Sequence, residues 1–81
     1  MQHIGKSMAN TMVEVSRATL AYWIERAVTC SQLMDGESKQ FLFNQMTCEF
    51  EAICDSIKSR NILAPIEVDD HRRRFYNLQS S

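Results

Sequence analysis

The sequence predicts an all-α protein in which two long helices form an antiparallel hairpin and a short helix follows near the C-terminus. Residues 11–34 and 38–60 contain neither proline nor glycine, and only a short connection separates them. Apolar residues recur within both stretches at spacings of three and four, which is the period of a helix face. The chain has 81 residues, of which 44% are apolar and 23% charged, as expected for one soluble globular domain.

The first helix is predicted over residues 11–34. Thr11 and Glu14 form a capping box, in which the hydroxyl and the carboxylate each satisfy a free backbone N–H. Asn10 is an equally good cap one residue earlier. The helix is expected to end before Asp35-Gly36, because glycine adopts the left-handed conformation that closes a helix. Residues 1–9 are expected to form a mobile arm.

The second helix is predicted over residues 38–60, with Asn61 as its terminator and Pro65 blocking any continuation. Its apolar residues form the seam of a helix packed lengthwise against another helix. These residues are Phe43, Met46, Phe50, Ile53 and Ile57. The carboxylates Glu49, Glu51 and Asp55 are interpreted as solubilising charge on the opposite side.

Residues 62–68 are too apolar for a free tail and too interrupted for a helix. We therefore expect an extended segment that lies across the hairpin. Asp69 or Asp70 is then expected to cap a short final helix over residues 70–78.

The first helix carries apolar side chains on two faces. Val13, Leu20, Ile24 and Ala27 form one stripe, with Trp23 at its edge, whereas Val15, Tyr22 and Leu33 fall on the other side. One hairpin partner covers only one face. The second face must be covered by another copy of the chain, by residues 62–68, or by a foreign protein. Because so small a domain buries little surface by itself, we favour a homodimer that forms a helical bundle.

Three cysteines, an odd number with no secretory signal before them, predict reduced thiols in the cytoplasm. The cysteine and histidine spacings lack the close pairs of a structural zinc site. No apolar stretch approaches the ~20 residues that cross a bilayer, so a membrane partner is not expected.

No catalytic constellation is evident in the sequence. His71 lies in a charged segment and His3 in the predicted arm, so neither is a convincing general base. With only Gly5 and Gly36, the chain has no glycine-rich phosphate loop. We therefore expect a protein that is not an enzyme and that uses no cofactor or metal.

A single basic and aromatic cluster stands near the C-terminus. It comprises Arg72, Arg73, Arg74, Phe75 and Tyr76. One interpretation is a solvated helix face with the phenylalanine packed beneath it. Another is a protein interface, because arginine and tyrosine are typical of binding hot spots. A third is a grip on nucleic-acid phosphates, which the acidic residues just upstream and the net charge of −1 disfavour.

The single domain, the predicted hairpin over residues 11–60 and the appended segment 72–76 together resemble the small antirepressors of temperate phages. Such proteins bind a phage repressor directly and keep it from its operator. The resemblance implies a non-enzymatic regulator in the host cytoplasm whose partner is a DNA-binding repressor. It transfers no individual site residue to this chain.

The residues themselves predict two groups of contacts. The partner-binding group is Arg72, Arg73, Arg74, Phe75, Tyr76 and Tyr22. The dimer and core group adds Val15, Trp23 and Leu33 to the seam of the second helix. The alternatives are a small nucleic-acid-binding regulator that uses the arginine cluster, and a structural subunit of a larger assembly.

Overall fold

The computed structural model of the protein describes residues 4–80, and the side chains of residues 10–80. It contains three α-helices, α1 (Ile4–Leu33), α2 (Gly36–Ser59) and α3 (Pro65–Ser80). Each helix packs against both of the others. Only two residues connect α1 to α2, so the pair forms a hairpin, as predicted. The predicted all-α fold is therefore confirmed.

Helix α1 begins earlier than predicted. It starts at Ile4 rather than Thr11, so the expected mobile arm is wrong for residues 4–9, whereas residues 1–3 lie outside the described part of the chain. The capping box predicted a possible start, but threonine and glutamate are also tolerated inside a helix. Nothing in residues 6–10 breaks the helix, so it continues through them.

The junction between α1 and α2 uses the predicted glycine. Gly36 has a positive φ of 61°, in the region that favours glycine. Asp35, with extended backbone, precedes it as the N-cap residue of α2, although its side chain makes no capping hydrogen bond. Helix α2 consequently starts two residues before the predicted start at Ser38.

Helix α2 ends in a Schellman motif. The N–H of Asn61 donates to the carbonyl of Lys58 at 3.1 Å, and the N–H of Ile62 donates to the carbonyl of Ile57 at 3.1 Å. Asn61 itself is left-handed, with φ 58°. The prediction that Asn61 terminates this helix is confirmed.

Helix α3 begins at Pro65, so the extended segment expected over residues 62–68 is wrong for its second half. The N–H groups of Glu67 and Val68 both donate to the carbonyl of Ala64, at 3.0 and 3.2 Å. The sequence prediction treats Pro65 as a stop signal for α2. It equally suits the first turn of a helix, where its fixed φ is helical and its missing N–H is no loss.

The longer α3 changes the roles of the two aspartates. Asp69 and Asp70 lie inside the helix rather than at its cap, so neither caps the predicted short helix over residues 70–78. The added turn also places Val68, which is fully buried, on the same face as Phe75, seven residues later.

The core draws on all three helices. Phe75 of α3 stacks on Phe50 of α2 with ring centroids 4.2 Å apart and contacts Phe43 at 5.6 Å. Leu20 and Ala27 of α1 are also fully buried. The predicted seam of α2 is confirmed, because four of its residues are buried and Ile53 packs against them.

Candidate protein-docking face

One side of the α1–α2 hairpin is not covered by α3. A groove of about 600 Å³ runs between the two helices, and it is lined by residues of α1, of α2 and of the link between them. Helix α3 contacts Arg17 of α1 and Glu51 and Lys58 of α2 through ion pairs, and none of these three lines the groove. The groove and α3 therefore lie on opposite sides of the hairpin.

The apolar lining of the groove is the outer surface of the core. Cys30 and Met46 are buried, whereas Trp23, Met34 and Leu42 are half-buried. Tyr22 and Leu33 stand at its α1 side and remain 54% and 78% exposed.

A continuous stripe of residues along α1 borders this groove. We call it the α1 stripe; its members step by three and four, which places them on one helix face. They are Met12, Val15, Thr19, Tyr22, Arg26, Thr29 and Leu33. All are exposed except the half-buried threonine at position 19. The stripe and the groove together form the docking face.

The docking face confirms the prediction that Val15, Tyr22 and Leu33 lie away from the hairpin contact, because all three are more than half exposed. Of the three alternatives for covering this face, cover by residues 62–68 is wrong. Those residues belong to the link and to α3, which occupies the other side of the hairpin. Trp23 lies at the edge between core and groove.

Three charged side chains line the groove. The Arg26 guanidinium donates to the Tyr22 hydroxyl at 3.1 Å and lies 5.4 Å from the centre of the Trp23 ring. Glu25 and Glu49 form no ion pair or hydrogen bond with other side chains in the described part of the chain. The face thus presents one oriented cation and two carboxylates free to bind.

The residues of the predicted partner-binding cluster lie in different environments in the structure. Phe75 is fully buried, so its assignment as a surface anchor is wrong; it is a core residue, as the alternative interpretation held. Arg72 contacts the carboxylates of Glu51 at 3.0 Å and Asp69 at 3.6 Å. The Tyr76 hydroxyl donates to the Glu51 carboxylate. Arg72 and Tyr76 therefore hold α3 against α2.

Arg73 and Arg74 are the exposed part of the cluster. Both contact the carboxylate of Asp70 within α3, Arg74 at 3.7 Å. Tyr22 lines the groove, on the side of the hairpin that α3 leaves open, so the structure does not bring it together with these arginines.

Glu51 was wrongly interpreted as solvent charge, because its side chain is only 25% exposed and binds two residues of α3. The position of Glu51 directly after Phe50, a seam residue, could have indicated that its side chain is partly buried. Arg26 has no role in the prediction from sequence. Its place four residues after Tyr22, on the same face of α1, could have indicated it.

Cys30 and Cys54 are buried and Cys48 is exposed, all as free thiols. Burial, reinforced by the neighbouring Glu51 carboxylate, raises the pKa of Cys54 to about 11. In the described residues no group of three or more His, Cys, Asp or Glu side chains is arranged to hold a metal ion. No helix within the same residues has the length and apolar character to cross a bilayer.

Comparisons with protein-family models, with curated proteins and with solved structures find no match to this chain.

Proposed function

We propose that the chain is a non-enzymatic interaction protein that docks onto another protein through the docking face. The supporting observation is the continuous exposure of large apolar side chains there, with Leu33 78%, Val15 55% and Tyr22 54% exposed. Leaving apolar surface in water costs about 25 cal/mol per Å². A contiguous patch of this kind, continuous with a groove into the core, is typical of a protein-binding site.

The shape of the docking face favours a helical partner over a small molecule. The groove alone has the volume of a ligand pocket, but the α1 stripe extends past it to Val15 and Met12. From its first to its last residue the stripe is about 32 Å long. An amphipathic helix laid along the stripe would contact it throughout, as in helix-in-groove recognition.

The residue types on the face suit a binding hot spot. Tyrosine, tryptophan and arginine are enriched at such positions. Here Tyr22, Trp23 and Arg26 contact one another, with the two rings 5.7 Å apart, so the cation and both rings are already oriented before binding. Such preorganisation lowers the entropy lost when a partner docks.

Within this proposal, the resemblance to phage antirepressors identifies a DNA-binding repressor in the host cytoplasm as the candidate foreign partner. By occupying the repressor, the chain would keep it from its operator. The nucleic-acid alternative is less well supported, because Arg72 contacts Glu51 and the two exposed arginines contact Asp70. These carboxylates compete with phosphate for the same guanidinium groups.

The test is capture of partners from a nuclease-treated lysate of the encoding cell, with two matched variants. Leu33→Asp places a charge on the docking face, whereas Ile66→Asp makes the same change at an equally exposed residue of α3 outside the groove. We expect a stoichiometric protein partner with the natural chain and with Ile66→Asp, and at least a tenfold loss with Leu33→Asp.

Equal capture by both variants would contradict the docking face as the binding site. Loss of every partner after nuclease treatment would favour nucleic acid instead. If a repressor is captured, adding the chain to its operator complex should release the DNA, measured by fluorescence anisotropy. Retention of the DNA at saturating chain would contradict the antirepressor function while leaving the interaction intact.

A further inference from the structure

We propose that the docking face pairs with a second copy of this chain, antiparallel along α1, about a two-fold axis between Glu25 and Arg26. This inference rests on the proposed function in one respect, namely that the docking face binds protein. Because a second copy and a foreign partner would use the same face, the foreign partner must displace the second copy in order to bind. It adds the identity of one occupant, the register of the pairing and the charges that fix it.

The charge pattern of the face is self-complementary. Glu25 and Arg26 are adjacent, both are exposed, and neither has an ionic partner in the described part of the chain. In a two-fold interface every contact occurs twice with the roles exchanged. An axis between these two residues sets Glu25 against the partner's Arg26 and Arg26 against the partner's Glu25. Two ion pairs form, and no charge of this pair remains unmatched.

The same axis sets large exposed side chains against small ones. It aligns each residue with the partner residue equally far on the other side of the axis. Leu33 then meets the partner's Ala18, and Tyr22 meets the partner's Thr29, all at exposed positions on or beside the α1 stripe. Large side chains opposite small ones across a helix interface interdigitate without leaving voids.

The register pairs residues within α1. This helix ends at Leu33, which is aligned with the partner's Ala18. The pairing therefore extends over residues 18–33, about two heptads of α1.

Another register serves the face less well. An axis through Tyr22 would stack the two tyrosines but align Arg26 with the partner's Ala18, leaving its charge against an apolar side chain. Partial burial of an unpaired charge is costly. The position of the two opposite charges therefore favours the axis between Glu25 and Arg26 over the axis through Tyr22.

The test is sedimentation equilibrium of the full chain with charge-reversal variants. The natural chain should sediment with about twice the monomer mass of 9.4 kDa. Glu25→Arg and Arg26→Glu each place like charges opposite each other, and each should weaken the dimer at least tenfold. The double variant Glu25→Arg/Arg26→Glu restores both pairs with exchanged signs and should return the dimer to within about threefold, as expected for charge complementarity.

Asp55→Arg is the matched control, because Asp55 is an exposed acid of α2 outside the groove, and its reversal should leave the dimer unchanged. Circular dichroism of each variant checks that the helices persist. A monomeric natural chain, single variants that dimerise normally, or a double variant that fails to recover would each overturn the pairing.

The two proposals fail separately. A monomeric natural chain that still captures a foreign protein, and loses it with Leu33→Asp, would overturn the self-pairing and retain the proposed function. A dimer rescued by the charge exchange that captures no foreign protein would support the self-pairing and contradict a regulator that acts on another protein.

Discussion

Glu51 contacts residues that lie more than twenty positions later in the chain. Its carboxylate binds Arg72 at 3.0 Å and accepts a hydrogen bond from Tyr76, so it joins α2 to α3. Burial, together with the hydrogen bond to Glu51, raises the pKa of Tyr76 to about 12. For a single residue such as Glu51, the sequence shows a carboxylate on a helix. It does not show which later helix will contact that carboxylate.

The raised pKa of Tyr76 is directly measurable. Because the chain has only two tyrosines, Tyr22→Phe leaves Tyr76 as the sole phenol. We expect its absorbance titration to have a midpoint near 12 in the folded protein, against 10 when unfolded. The sign follows from a pKa raised by folding: this contribution to stability is complete below pH 10 and is lost as the pH rises towards 12.

Two glutamine variants in the Tyr22→Phe background test how far the Glu51 carboxylate, as distinct from burial, raises the pKa of Tyr76. Glu51→Gln removes the negative charge beside the phenol, so the pKa of Tyr76 should fall. Glu49→Gln, a neighbouring carboxylate of α2 that lines the groove instead, should leave the midpoint unchanged. A midpoint near 10 in the folded Tyr22→Phe protein would show that Tyr76 is exposed to solvent rather than bonded to Glu51.

Helix ends differ in how well the sequence predicts them. The end of α2 at Asn61 was predicted correctly, and so was the left-handed conformation of Gly36, although Gly36 begins α2 rather than closing α1. The starts of α1 and α3 were predicted wrongly, because a capping box and a proline each have two structural meanings. Whether Pro65 stops one helix or starts another depends on packing that lies outside the local sequence.

The left-handed conformation of Asn61 gives a prediction for α2. At φ 58° the Cβ atom of any residue except glycine is crowded by the backbone, and asparagine tolerates this region better than alanine does. We expect Asn61→Ala to lower the free energy of unfolding by about 1 kcal/mol in urea denaturation. Asn61→Gly, which relieves the strain, should stay within about 0.5 kcal/mol of the natural protein.

Asn44→Ala is the control for the residue type, because Asn44 is exposed inside α2, where its side chain accepts a hydrogen bond from Gln40. Alanine has the better helix propensity there, so this change should be neutral or slightly stabilising. If the alanine variants at positions 44 and 61 gave the same change, the left-handed cap would not contribute to stability.

For the whole molecule, periodicity predicted the faces of the helices but not their partners. The buried seam of α2 and the uncovered face of α1 follow from spacing alone. Spacing could not show that α3 fills one side of the hairpin, because the contacts of Phe75 with Phe43 and Phe50 join segments far apart in sequence. The arginine cluster was consequently assigned to a partner, although Arg72 binds within the chain.

The position of Phe75 predicts that the three helices unfold as one unit. Phe75 is fully buried and contacts the α2 seam, and α3 also packs against α1. Removing its ring by Phe75→Ala should cost about 3–5 kcal/mol, a large part of the stability of a small domain.

The test follows unfolding by two signals, circular dichroism for all helices and the fluorescence of the single tryptophan, Trp23, for α1. Ile66→Ala, at an exposed residue of α3, should change stability by no more than about 0.5 kcal/mol. The two signals should shift together in Phe75→Ala, because α1 loses its packing when α3 loosens; a Trp23 transition left unchanged would mean that the hairpin folds without α3.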